Sequence, residues 1–207
     1  MDGKIIIPIP DRNQIAEYAE GFFNQVGRAI EIGVWEGEFA SANLKKWTGE
    51  YHLCDNWAHR LDGSADKNME DVGSWNGIKK RAIEKTSFAA DRIRIHQGLS
   101  VEVAKSFPDG YFDWIYIDAL HNYESVKADL NAWYPKLRKG GLLSGDDYGT
   151  NIKPLADRWE KIYGSFANIY QWGTIEAVNE FCLENQIPLG VTWLNDQYRT
   201  PAWYLIK

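Results

Sequence analysis

Two spacings of apolar residues alternate along the chain. In residues 11–26 they fall at Ile15, Tyr18, Ala19, Phe22, Phe23 and Val26, the i, i+3, i+4 spacing of an amphipathic helix with Asp11 placed to cap it. Residues 29–34 then read as a short buried strand, 37–47 as a helix and 51–54 as a second strand. A helix fits 78–88, and strands fit 93–95 and 114–117. Residues 122–137 carry Tyr123, Val126, Leu130, Trp133 and Leu137 on one helical face, with Gly140 and Gly141 read as the stop signal. A fifth strand fits 142–144, a last helix 174–184, and two late strands 191–194 and 202–206.

Strands alternating with helices predict a parallel sheet covered on both faces. The connection between the late strands is too short for a crossover helix, so that pair is expected as an antiparallel hairpin at one edge. The expected fold is therefore α/β and doubly wound: a Rossmann-like, mostly parallel seven-stranded sheet with an antiparallel C-terminal hairpin. A single domain covers 1–207, with a helical segment at 1–28, a core at 29–148, and a helix and hairpin at 149–207. Open sheets of this kind bind ligands outside the carboxyl ends of their strands. The residues there are Gly33 and Gly37, Asp55, Gly98, Asp118, and Asp146 with Asp147.

Composition narrows the partners. The 207 residues include 25% charged and 44% hydrophobic positions, a globular balance. Net charge is -6, which does not suit a general phosphate-binding surface, so nucleic acid is not an expected partner. Cys54 and Cys182 lack any ligand spacing and read as reduced, buried thiols. No run approaches the roughly 18 apolar residues of a membrane span, so a soluble, cytoplasmic protein is expected. The 10 Trp residues point to a core, an interface or a ring-stacking pocket, and composition does not choose among these.

The loop from Glu31 through Gly33 to Gly37 closes the first strand and opens a helix. Trp35 stands where a dinucleotide fingerprint needs its middle glycine, and no Walker loop is present. An acid just before the loop disfavours phosphate and favours a cationic ligand. Asp55, ending the second strand, is placed as acids that pair with ribose hydroxyls are. The implied ligand is a nucleoside with a positive tail. Glu31-x-Gly33-x-x-x-Gly37 followed by Asp55 resembles the first two motifs of class I S-adenosylmethionine-dependent methyltransferases. By that resemblance Glu31, Gly33, Gly37 and Asp55 bind the cofactor, and Gln97, Gly98 and Ser100 lie beside its adenine. Trp57 and Trp75 lie within residues 56–77, a mixed polar segment expected to form a covering loop.

The block from Phe112 through Asp118, His121 and Asp129 to Asp146, Asp147 and Tyr148 resembles a subgroup that includes macrocin O-methyltransferase-like and other sugar and small-molecule O-methyltransferases. In a parallel sheet Asp118, Asp146 and Asp147 gather at one edge, where unpaired carboxylates repel and a divalent cation relieves them. The resemblance assigns these three to a metal, Mg²⁺ by their oxygen-only set. It implies methyl transfer to a hydroxyl of a small-molecule acceptor, a sugar or polyol, with Asp118 or His121 taking the proton. Leu120 stands where relatives often carry a further acid, and no Lys stands near Asp118 as in catechol-type relatives. A nucleoside-binding partner subunit without catalysis is the alternative, with Tyr170, Trp172, Trp193, Tyr198 and Trp203 as its interface. The sequence leaves the oligomeric state open, a homodimer being the commonest assembly of soluble enzymes.

Overall fold

The computed structural model describes residues 8–21, 27–58, 75–148, 172–193 and 200–207. Its helices are α1 (Ile15–Gly21), α2 (Glu38–Asn43), α3 (Trp75–Thr86), α4 (Ser100–Ala104), α5 (Tyr123–Trp133) and α6 (Thr174–Asn185). Its strands are β1 (Arg28–Ile32), β2 (Glu50–Asp55), β3 (Ile93–Gln97), β4 (Phe112–Ile117), β5 (Leu137–Gly145), β6 (Gly190–Val191) and β7 (Trp203–Ile206). They form one sheet in the order β3-β2-β1-β4-β5-β7-β6. The first five are parallel, and β7 runs antiparallel to both β5 and β6. The doubly wound fold and its reversed C-terminal pair are as the pattern predicts.

Alternation along the central strands builds two cores. In β4, Trp114 and Tyr116 face one side, where α1, α2 and α3 pack with Ile15, Leu44, Trp47 and Ile78. Ile115 and Ile117 face the other, against Leu130, Trp133 and Phe181 of α5 and α6. Much of the aromatic excess serves these cores: Trp47, Trp114, Trp133 and Trp203 are fully buried.

Several boundaries differ from the pattern. Asp11 does cap, accepting from the Asn13 amide at 2.7 Å, but it caps a 3-10 turn at Arg12–Gln14 that leads into α1. Helix α2 is shorter than the pattern predicts, and α4 has no counterpart in the pattern. The helix expected to reach residue 137 stops at Trp133, because Pro135 has no N–H to give the carbonyl four residues back. Gly140 and Gly141 are therefore no helix stop. They lie inside β5, where the β4–β5 register shifts, and they bond with Lys207, which follows directly on the antiparallel strand β7. Expectations on residues 22–26, on most of the 56–77 segment, and on Leu194, Tyr170 and Tyr198 fall outside the described residues.

Candidate active site

Strand order reverses between β1 and β4, and a cavity of about 950 Å³ opens over their carboxyl ends. Gly33 makes this junction close. At φ 88° it takes a backbone form that other residues resist, and a Cβ there would stand 1.9 Å from the Asp118 carbonyl oxygen.

Asp55 organises the loop after β1. Its carboxylate accepts the amides of Val34, Trp35 and Trp57, each at 2.8 Å. Trp35 and Trp57 both sit at positive φ, 54° and 39°, and the Trp57 indole donates to the Trp35 carbonyl at 3.0 Å. Bulky side chains rarely hold that conformation, so the shared carboxylate and the indole bond fix it. Burial raises the Asp55 pKa, opposed by these backbone donors.

Glu31 is 1% exposed and receives the Tyr51 hydroxyl at 2.7 Å, which in turn accepts from Asn43 Nδ2 at 3.1 Å. Burial pushes its pKa up to about 8, against the Tyr51 hydrogen bond.

Glu31, Gly33, Asp55, Gly98, Ser100, Asp118, His121 and Asp147 all line the cavity, together with Trp57 and Trp75. Three expected residues do not. Gly37 caps α2 at φ 78°, and its missing Cβ lets that helix approach Ala82 of α3. The Gln97 side chain lies outside, accepting from Lys79 Nζ at 2.8 Å and donating to the Asn56 carbonyl at 3.1 Å. Asp146 is turned away to Arg12. Ser100 lines the cavity with its hydroxyl already engaged: it donates to Asp129 and accepts from Trp133 Nε1 at 2.7 Å. Asp129 is 5% exposed and reaches the cavity from α5. Sequence reasoning missed it, although an acid on the Val126, Leu130, Trp133 face was the available signal.

At the far end His121 Nε2 lies 2.9 Å from Asp147 Oδ2 and 3.9 Å from Asp118 Oδ1. Burial disfavours the imidazolium, but the charge of Asp147 and the bond to Asp118 outweigh it and raise the His121 pKa to about 10. The same pairing holds Asp147 below its ordinary range despite burial, helped by the Thr200 hydroxyl at 2.8 Å. Tyr148 faces helix α6, its hydroxyl donating to Asn179 at 2.9 Å.

Arg12, from the turn before α1, completes the cluster. Its guanidinium pairs with Asp146, approaches Asp118 Oδ2 at 3.4 Å, and lies over the Phe39 ring at 4.4 Å. The carboxylates that come together with a third ligand are thus Asp118 and Asp147 with His121, all within 4.8 Å, and Asp146 does not join them. That set is two oxygens and one nitrogen rather than the three oxygens suited to Mg²⁺. Asp146 Oδ1 has no partner among the described residues, but neither does Arg12 Nε, and one cation cannot serve both. The residues present do not fit Mg²⁺ held by Asp118, Asp146 and Asp147.

A doubly wound sheet with a cavity over its switch point places the protein among the open α/β folds that bind ligands at the carboxyl ends of their strands. The chain belongs to the family described as "Methyltransferase domain", which matches residues 30–148. Family and fold make it a class I S-adenosylmethionine-dependent methyltransferase. Similar solved structures include a putative S-adenosyl-L-methionine-dependent methyltransferase from Methanococcus maripaludis, 19% identical with TM-score 0.59, covering 94% of this chain and 83% of that one. An O-methyltransferase from Bacillus cereus in complex with SAH is 14% identical with TM-score 0.61, covering 95% and 80%. A putative caffeoyl-CoA O-methyltransferase from Staphylococcus aureus is 15% identical with TM-score 0.59, covering 97% and 86%. No curated protein matches the chain. No helix among the described residues is long and apolar enough to cross a membrane.

Proposed function

We propose that the chain transfers the methyl group of S-adenosylmethionine to a hydroxyl oxygen of a small-molecule acceptor, a sugar or polyol. The observation that carries this reading is one cavity that spans the ends of β2 and β3 on one side of the switch point and of β4 and β5 on the other. Asp55, Gly98 and Asp129 line the part suited to a nucleoside, and Asp118, His121 and Asp147 line the part suited to a hydroxyl. Trp35 lines the same space, partly exposed, and suits the packing of a sugar ring.

The sulfonium methyl is already activated, so the protein's task is alignment and proton removal. The acceptor oxygen attacks the methyl carbon, the carbon–sulfur bond breaks with its electron pair left on sulfur, and the hydroxyl proton goes to Asp118. A carboxylate is a sufficient base, because the oxygen becomes strongly acidic as it gains the methyl group. His121, whose pKa is raised by the charge of Asp147 at 2.9 Å, favours its protonated form and stands beside the acceptor oxygen as an orienting group. Since the residues do not fit the three-aspartate metal site, no step is assigned to a divalent cation.

The test is mass spectrometry of polyols, sugars, catechols and amines incubated with protein and S-adenosylmethionine. Methylated polyol or sugar hydroxyls support the reading. Methylation confined to amines, or none while the cofactor binds, overturns it, and the second outcome favours the partner-subunit alternative.

A further inference from the structure

Two carboxylates of the cluster share one permanent cation supplied by the chain itself. Asp146 is paired with Arg12, Asp147 with His121, and Asp118 lies 3.4 Å from the guanidinium and 3.9 Å from the imidazole. Arg12 is firmly seated there. Its side chain is only 13% exposed, and its guanidinium carbon lies over the Phe39 ring at 4.4 Å and the Tyr116 ring at 5.9 Å. The backbone around it is anchored on both sides. Before it, the Ile9 amide donates to the Tyr204 hydroxyl at 3.0 Å. After it, Lys46 Nζ donates to the Asn13 carbonyl at 2.7 Å, and Ile15 is fully buried.

We infer that Arg12 is the resident cation of this acid cluster, a positioning residue that holds Asp118 and Asp146 in the place of a divalent metal, so that this chain works without one. A divalent ion among the three aspartates would stand beside a buried, permanently charged guanidinium, and like charges in a partly dry site repel strongly. The guanidinium instead relieves the mutual repulsion of Asp118 and Asp146 and leaves Asp118 facing the cavity. The inference deepens the methyl-transfer reading, and its activity readout rests on that reading. Its metal-binding readout does not.

The experiment is titration of Mn²⁺, followed by the loss of its free-ion electron spin resonance signal, into the wild-type protein, Arg12→Met and Arg12→Lys. The wild type and Arg12→Lys are expected to bind no tighter than millimolar, and Arg12→Met to gain about tenfold or more in affinity. Micromolar Mn²⁺ binding by the wild type overturns the inference, and so does an Arg12→Met variant that folds by near-ultraviolet circular dichroism and gains nothing. If Arg12→Met does not fold, the wild type decides alone. Where methyl transfer is detected, it is expected to persist in EDTA with rates unchanged, and loss of activity there also overturns the inference. Failure to detect any transfer bears on the proposed function and leaves the Mn²⁺ result standing.

Discussion

Replacing Asp55 by alanine is expected to loosen the loop over β1 before it affects any ligand. Three backbone amides, from Val34, Trp35 and Trp57, lose a charged acceptor at 2.8 Å. Hydrogen bonds to charged groups contribute roughly 1.5–3 kcal/mol each, and an orphaned buried donor is penalised by a similar amount. Two terms reduce the sum: the Trp35 amide is exposed and regains water, and burial of the carboxylate is itself unfavourable, as its raised pKa shows. The net loss expected is about 2–4 kcal/mol for Asp55→Ala. Asp55→Asn keeps one carbonyl acceptor for two of the amides but turns an N–H donor toward the third, and about 1–2 kcal/mol is expected. Urea denaturation of the ligand-free protein followed by tryptophan fluorescence measures both. An alanine variant within about 0.5 kcal/mol of wild type refutes the reasoning, because the two positive-φ tryptophans would then be held by something other than Asp55.

Four further outcomes are expected. Gly33→Ala, whose Cβ would meet the Asp118 carbonyl at 1.9 Å, is expected to lose about 3 kcal/mol or more, whereas Gly21→Ala in α1 meets nothing within 4 Å and is expected to gain up to about 1 kcal/mol, both read from thermal melts. His52 is hydrogen-bonded to His96 at 2.8 Å and Glu50 at 2.9 Å, and burial lowers its pKa to about 4. Its contribution is therefore present above the unfolded value near 6.5 and lost as pH falls through 4, by about 2–3 kcal/mol at most, and urea midpoints against pH should show that acid limb flattened in His52→Asn. Glu31 has the opposite sign: raised to about 8, it binds a proton more readily when folded, so the ligand-free protein should lose stability as pH rises from about 4.5 through 8, and Glu31→Gln should remove that slope. Asp118→Asn is expected to lower kcat by roughly 10²–10⁴-fold with binding of S-adenosylhomocysteine little changed, and parallel loss of both would show a structural role instead.

The central β-α alternation was legible because strands buried on both faces read as short apolar runs, and the reversed late pair followed from connection length alone. Helix α4 was not, since five residues carry too little of a helical period to register. Gly140 and Gly141 misled because the same pair that ends helices also permits a bulged strand beside Lys207. In the site, the ends of strands put Asp55, Asp118 and Asp147 among the candidates and the turn after β4 added His121, and all four line the cavity. Strand position could not tell which of two adjacent aspartates faces the cavity: Asp147 turns toward His121 at φ 53°, and Asp146 toward Arg12. Arg12 lies 106 positions from Asp118, and no local pattern announces such a pairing.

The most direct test of the account is calorimetric titration of S-adenosylhomocysteine into the ligand-free protein. One-to-one micromolar binding, lost when Gly98 or Asp129 is replaced by a bulky residue that narrows the cavity, is the predicted result. No heat of binding at millimolar ligand, from protein shown to be folded by near-ultraviolet circular dichroism, would contradict it.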